Sequence, residues 1–265
     1  MSDTPESQQT ILRHGVDHRG VHTLTLNTPK SFNTLSTAML KALQLALRQV
    51  GEDPAARVVV LAAEGPAFCA GHNLKEMLAH PEPADHQALF ALCTQVMLQV
   101  QQLPVPVIAQ VQGLATAAGC QLVAQCDLAV AADTATFGVN GIDVGLFCAT
   151  PSVPLVRNVP AKVAMEMLLT GAFLSAPEAL ARGLVNRVVP IAQLSSAVAE
   201  LVAAILTKPR EAVALGKAVF YQHRETSTEA AYQLAGQAMV CNLALPVTQE
   251  GMQAFAEKRP PSWRS

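Results

Sequence analysis

The sequence predicts an α/β fold in which strands are joined through crossover helices and a helical region closes the chain. Three observations carry this expectation. Runs rich in β-branched residues alternate with helix-period segments through the first half. Two turns of small residues, at 64–77 and 111–123, each link a strand to a helix. The remainder, from about residue 161, reads as helix after helix.

The first strand is GVHTLTLN, Gly20 to Asn27. A helix follows in which Met39, Leu40, Leu43, Leu47 and Val50 recur at helical spacing, with Lys41, Gln44, Arg48 and Gln49 opposite. RVVVLAA, Arg57 to Ala63, is the second strand, and ALFALCTQVMLQVQQL is a helix ending before Pro104. Val105 to Val111 returns as strand, Gly113 opens a turn into a helix running through Gln121, and DLAVAA and ATFGV are strands again. Then come AKVAMEMLLTG, SAPEALARGL, IAQLSSAVAELVAAIL, PREAVALGKAVFYQH and STEAAYQLAGQAMVCNLAL, all helical by period. Gly171 stops the first of these, and the spacings Ser175/Glu178 and Thr226/Glu229 predict capping boxes. The division expected is an α/β core over 1–200 and a helical region over 201–265.

Composition narrows the function. With 265 residues, 51% hydrophobic and 14% charged, the chain can bury a large core. A formal net charge of -2 without a long like-charge run offers no footprint for a phosphate backbone, so nucleic acid is not an expected partner. Apolar runs such as VGLFCATPSVPLV carry Pro, Ser and Thr and do not sustain a membrane-spanning length, so no membrane is expected either. The N-terminal MSDTPESQQT has the pattern of neither a signal peptide nor a transit peptide, and a soluble cytoplasmic protein is the expectation. The six cysteines lack paired spacing and read as reduced, buried small hydrophobes; Cys69 and His72 in CAGH have no second ligand pair, so no metal is expected.

The chemistry is carried by the two turns, EGPAFCAGHNLKEM and VQGLATAAGCQLV. In each a strand enters, small residues follow and a helix leaves. Such a junction lets a ligand approach main-chain N–H groups and the unsatisfied donors of a helix N-terminus. One turn of this kind equally serves close helix–strand packing. Two in the same half of the chain could set two donors on one oxygen atom, stabilising a carbonyl as it gains negative charge. No GxGxxG, P-loop, GxSxG or HExxH motif is present.

With FCAGHNLKEM, PVIAQVQGLATAAGCQLVAQCDLAVA, AMEMLLTG and GLVNRVV, the chain resembles the enoyl-CoA hydratase/isomerase, or crotonase, superfamily from about Val21 to the closing EGMQAFAEKRPPSW. The resemblance implies a spiral of strand–strand–helix turns, a C-terminal helical trimerisation region, homotrimers that commonly pair into hexamers, and an acyl-CoA or enoyl-CoA thioester as ligand. Coenzyme A then enters as part of the substrate, with no separate cofactor. It further implies that His72, after Ala70 and Gly71, and Ala118 donate backbone N–H groups to the thioester oxygen. Asn73 stands where the family usually has Asp, and Leu74 and Lys75 continue the segment that wraps the adenine and phosphate end. Lys30 and Lys258 match positions that approach the phosphates, Lys258 from a neighbouring subunit with Phe255.

Two glutamates do the acid–base work of hydration in that family. Their positions fall on Gln121 and Gly141. Glutamine exchanges no proton near neutral pH and glycine has no side chain, while positioned acid–base groups contribute roughly 10²–10⁴-fold. Ordinary hydration is therefore expected to be weak or absent, leaving altered chemistry of lyase or isomerase type, in fatty acid metabolism, or acyl-CoA binding alone. Gln121 either hydrogen-bonds or positions water in the site, or satisfies nearby backbone groups. Asp143 shares the face of Gly141 if that segment is extended and points away if it is helical. The His72 imidazole, Cys148 and Thr150 are the other candidates for the missing groups.

Overall fold

The computed structural model describes residues 10–264; the stretch 1–9, on which the reading of no leader peptide rests, lies outside them. In chain order the elements are β1 (Leu12–Val16), β2 (Val21–Leu26), α1 (Thr37–Glu52), β3 (Val58–Ala63), β4 (Ala67–Cys69), α2 (Leu74–Ala79), α3 (Pro83–Gln102), β5 (Val107–Val111), β6 (Leu114–Thr116) and α4 (Ala118–Gln125). They continue with β7 (Leu128–Ala132), β8 (Thr136–Gly138), α5 (Ala149–Leu155), α6 (Ala161–Thr170), β9 (Leu174–Ser175), α7 (Ala176–Ala181), β10 (Arg187–Val189), α8 (Leu194–Leu206), α9 (Arg210–His223), α10 (Thr228–Leu243) and α11 (Pro246–Ala256).

Two sheets form. The larger has the order β1-β2-β3-β5-β7-β10 and the smaller β4-β6-β8-β9. Consecutive strands of each repeat go one to each sheet before a helix returns: β3 and β4, β5 and β6, β7 and β8. This is the strand–strand–helix spiral, with every pairing parallel except β1 with β2 and β8 with β9. The large sheet is covered on both faces, as parallel sheets require. On β3, Val59 and Leu61 face the main core with Leu24, Leu26, Met39, Leu40 and Val107, while Val58 and Val60 face Leu194, Val198 and Val202 of α8.

Several boundaries differ from expectation for local reasons. Leu114–Thr116 is a strand where the sequence reads as a turn running straight into helix, because three residues show no period. β1 was not expected, since only Leu12 of its five residues is buried and its strand character comes from pairing with β2. Ser175/Glu178 forms a capping box and Gly171 the left-handed C-cap of α6, but α10 is capped by Ser227, one residue beyond Thr226. Five cysteines are buried, whereas Cys241 is exposed. The boundary at residue 200 falls inside α8, which packs on the large sheet, so the core extends to Leu206.

Beyond α8, the helices α9 and α10 bury none of their residues and α11 buries only Ala254. Polar contacts hold α9: Arg210 Nε donates to the Ala56 carbonyl (3.0 Å), and Lys217 Nζ donates to the carbonyls of Val100 (2.8 Å) and Val105 (3.0 Å) and to Asp127 Oδ2 (2.7 Å). Asp127 also accepts from Tyr221 Oη (2.9 Å) and the Val107 amide (2.7 Å). Burial lowers the Lys217 pKa, the Asp127 charge opposing it, and burial raises that of the Tyr221 phenol. Among the described residues no single helix is long and apolar enough to cross a membrane.

Candidate functional site

The two small-residue turns meet. β4 and β6 lie side by side, so the segments that follow them, 70–73 and 117–119, pack against each other. Glycine is required on both sides of the contact. A Cβ at Gly71 (φ 86°) would lie 2.9 Å from Ala117 Cβ and 3.1 Å from the Ala118 nitrogen. One at Gly119 would lie 2.0 Å from the Cys69 carbonyl oxygen. Ala118 is the first residue of α4, so its N–H has no carbonyl four residues back to bind. Ala117 holds φ 50° and ψ −122°, a conformation that ordinarily belongs to glycine.

His72 and Ala118 line one cavity of about 750 Å³, and Lys30, Ala70, Asn73, Leu74, Lys75, Gly141, Cys148 and Thr150 line it too. The rest of its wall is largely apolar, with Phe32, Met77, Phe90, Leu146 and Phe147 prominent. The loop bearing Lys30 is fixed over β4 by Asn33. That buried side chain accepts from the Thr28 amide and donates to the carbonyls of Glu64 and Ala67, all at 2.8 Å. Asn33 holds the left-handed region, φ 53°, which Asn tolerates better than most residues. Asn73 is occupied locally: its Oδ1 accepts from the amides of Lys75 (3.1 Å) and Glu76 (3.3 Å) as the N-cap of α2, a task Asp would perform equally. Ala70 N–H donates to the Phe32 carbonyl at 3.0 Å.

The His72 ring is oriented by two contacts. Nδ1–H donates to the Leu35 carbonyl at 3.2 Å, and the ring stands edge-on to Phe90 with centroids 5.4 Å apart. Nε2 is therefore the unprotonated nitrogen, buried and without a partner among the described residues. Burial holds the imidazole below its ordinary pKa, opposed by the Leu35 hydrogen bond and the Glu76 charge.

The positions expected to carry acid–base groups separate. Gln121 is 5% exposed, its Oε1 has no partner among the described residues, and it opens on a different cavity of about 340 Å³ with Gln101, Gln125 and Asn158. Thr150 forms part of both walls. Gly141 is walled in: a Cβ there would sit 2.4 Å from the Leu146 carbonyl oxygen and 2.8 Å from Cys148 Sγ, which accepts from the Gly141 amide at 3.3 Å. Burial raises the Cys148 pKa, so it is a thiol. Asp143 falls in a 3-10 turn, Asn140–Val144, and its carboxylate turns to Gly171, outside the cavity lining. Phe255, 86% exposed, and Lys258 are outside it as well.

Sequence reasoning missed one polar pair in the wall. Thr116 Oγ1 donates to Asn140 Oδ1 at 2.6 Å, and both residues line the cavity. Thr116 stands opposite Gly138 in the β6–β8 register, which sets Asn140 beside it.

The profile of the enoyl-CoA hydratase/isomerase family matches residues 17–265. The Mus musculus protein named enoyl-CoA hydratase domain-containing protein 3, mitochondrial, is 48% identical over 244 residues, 92% of this chain and 81% of the relative. The Homo sapiens protein of that name is 48% identical, over 92% of this chain and 80% of the relative. Among solved structures, the enoyl-CoA hydratase of Mycobacterium smegmatis superposes with TM-score 0.96 at 56% identity, covering 97% of this chain and 100% of that one. The human enoyl-CoA hydratase domain-containing protein 3 superposes with TM-score 0.91 at 47% identity, covering 96% and 100%. These relatives correct the expectation of a cytoplasmic protein, since the mouse, rat and human proteins are all named mitochondrial.

Proposed function

The chain belongs to the enoyl-CoA hydratase/isomerase family, and on that footing we propose that it binds an acyl-CoA thioester with the carbonyl oxygen between the His72 and Ala118 amides. The observation that carries this reading is the contact of the two turns, so close that a Cβ on Gly71 would lie 3.1 Å from the Ala118 nitrogen. Two main-chain donors on one oxygen stabilise the negative charge that grows there when a proton leaves the α-carbon or a nucleophile reaches the β-carbon. Leu74 flanks the path of the coenzyme, and Lys30 and Lys75 serve as point charges towards its phosphates. Phe255 and Lys258 complete that end from a neighbouring subunit, in a trimer or hexamer built through the exposed faces of α9 to α11.

Ordinary hydration is not the activity proposed. Gly141 has no space for a side chain, and Gln121 opens on the other cavity. A water attacking the β-carbon thus meets no carboxylate at either position, and the loss of both groups removes several orders of magnitude in rate. The reading is a crotonase-fold acyl-CoA protein that polarises the thioester without the usual acid–base pair. The enclosed Gly141 favours binding, or chemistry through another group, over hydration.

A panel of short, medium and aromatic acyl-CoAs tests it. Titration should give saturable binding for at least one thioester and none for the corresponding free acid, while crotonyl-CoA is hydrated slowly or not at all. Efficient crotonyl-CoA hydration would contradict the second half of the reading, and failure of every thioester to bind or to raise the melting temperature would contradict the first.

A further inference from the structure

The polar pair in the cavity wall has an orientation set from outside. Asn140 opens the 3-10 turn Asn140–Val144, and three residues on, Asp143 brings its carboxylate within 3.5 Å of Asn140 Nδ2. A carboxylate only accepts hydrogen bonds. Turning the Asn140 amide over would set its oxygen against the carboxylate oxygens, so Nδ2 faces Asp143 and Oδ1 faces Thr116. Thr116 must then spend its single hydroxyl proton on Oδ1, at 2.6 Å. What remains on Thr116 Oγ1 is lone pairs.

From this chain we infer that Thr116 is fixed as a hydrogen-bond acceptor towards the acyl group and selects thioesters that carry a hydroxyl on the acyl carbons near the carbonyl. The inference rests on the proposed thioester site. Thr116 lies two residues before Ala118, and both it and Asn140 line the same cavity as His72 and Ala118. Asn140 adjoins Gly141. The pair therefore flanks the region where the α- and β-carbons lie once the carbonyl oxygen rests on the two amides. A saturated or unsaturated acyl chain leaves the acceptor unpaired on binding, whereas an O–H donor pairs with it. Asp143 is a positioning residue in this arrangement: it acts through Asn140 and touches no substrate.

The test is calorimetric titration of the full chain with butyryl-CoA and 3-hydroxybutyryl-CoA. One net hydrogen bond corresponds to a preference of about fivefold for the hydroxyacyl thioester. Thr116→Val should abolish the preference and Thr116→Ser should retain it. Asp143→Asn should weaken it, because an amide can present either a donor or an acceptor to Asn140. Equal affinity of the wild type for the two thioesters, or a preference that survives Thr116→Val, overturns this inference and leaves the thioester site standing. Binding of neither thioester overturns this inference, and the thioester site falls with it only if every acyl-CoA of the panel above also fails to bind.

Discussion

Restoring a glutamate at Gly141 is the most direct challenge to the site as described, and the structure says it fails on packing. A Cβ at that position sits 2.4 Å from the Leu146 carbonyl oxygen and 2.8 Å from Cys148 Sγ, against 3.4–4 Å for ordinary contact. The loop 146–148 must move by about 1 Å to admit a methyl group, and such overpacking costs roughly 1–3 kcal/mol. For a chain of this size each kcal/mol lowers Tm by roughly 2–4 °C, so Gly141→Ala should melt about 2–12 °C below the wild type. Gly141→Glu should lose at least as much, since the remaining atoms must pass the same two obstacles and displace the thiol that accepts from the residue 141 amide.

Two measurements decide this. Thermal denaturation followed by circular dichroism gives Tm for both variants, and loss of enoyl absorbance reports crotonyl-CoA hydration. The expected pattern is a lowered Tm with no gain in hydration. Adding Gln121→Glu should lower stability again without activity, because it places a charge at a 5% exposed position where Gln121 Oε1 already lacks a partner among the described residues. If Gly141→Glu melts with the wild type and gains hydration, the wall around residue 141 is not the obstacle it is taken to be.

Ala117→Gly should stabilise the protein by about 1 kcal/mol: relief of a strained positive φ returns roughly 1–3 kcal/mol, less 0.4–1 kcal/mol for the freer unfolded chain. An unchanged or lower denaturation midpoint would contradict this. Lys217→Met leaves the Asp127 carboxylate buried without its countercharge and should cost about 3–5 kcal/mol by urea denaturation, with Asp127→Asn in the same chain recovering part. A loss below 1 kcal/mol would refute it. Burial favours the neutral His72 ring, so its folded pKa lies below the unfolded value of about 6.5. Its contribution is complete above that pH and is lost as pH falls towards the folded pKa, because the unfolded chain takes the proton first. Stability should therefore fall more between pH 7.5 and 5.5 for the wild type than for His72→Gln, and parallel curves would remove this role.

The parts of the fold legible in the sequence are those where residue type answers a local demand. Small residues in the two turns signalled a close approach of backbones, and Gly71 and Gly119 are where a methyl group would collide. Met39, Leu40, Leu43, Leu47 and Val50 are buried along α1 as their spacing required. The three-residue strands β4, β6 and β8 were harder, because their identity lies in pairing with one another and not in any period. The site divides the same way. His72 and Ala118 follow each from its own turn, and both line the one cavity. Gln121 does not, although it lies only three residues after Ala118 on the same helix: the chain at Thr150 stands between two cavities, and no property of α4 reveals a partition supplied 29 positions later. Asp143 turned on whether its segment was extended or helical, and the 3-10 turn that decides this also brings it to Asn140. Residue type and spacing thus bring His72 and Ala118 to one cavity, while the walls around it come from loops packed across the fold.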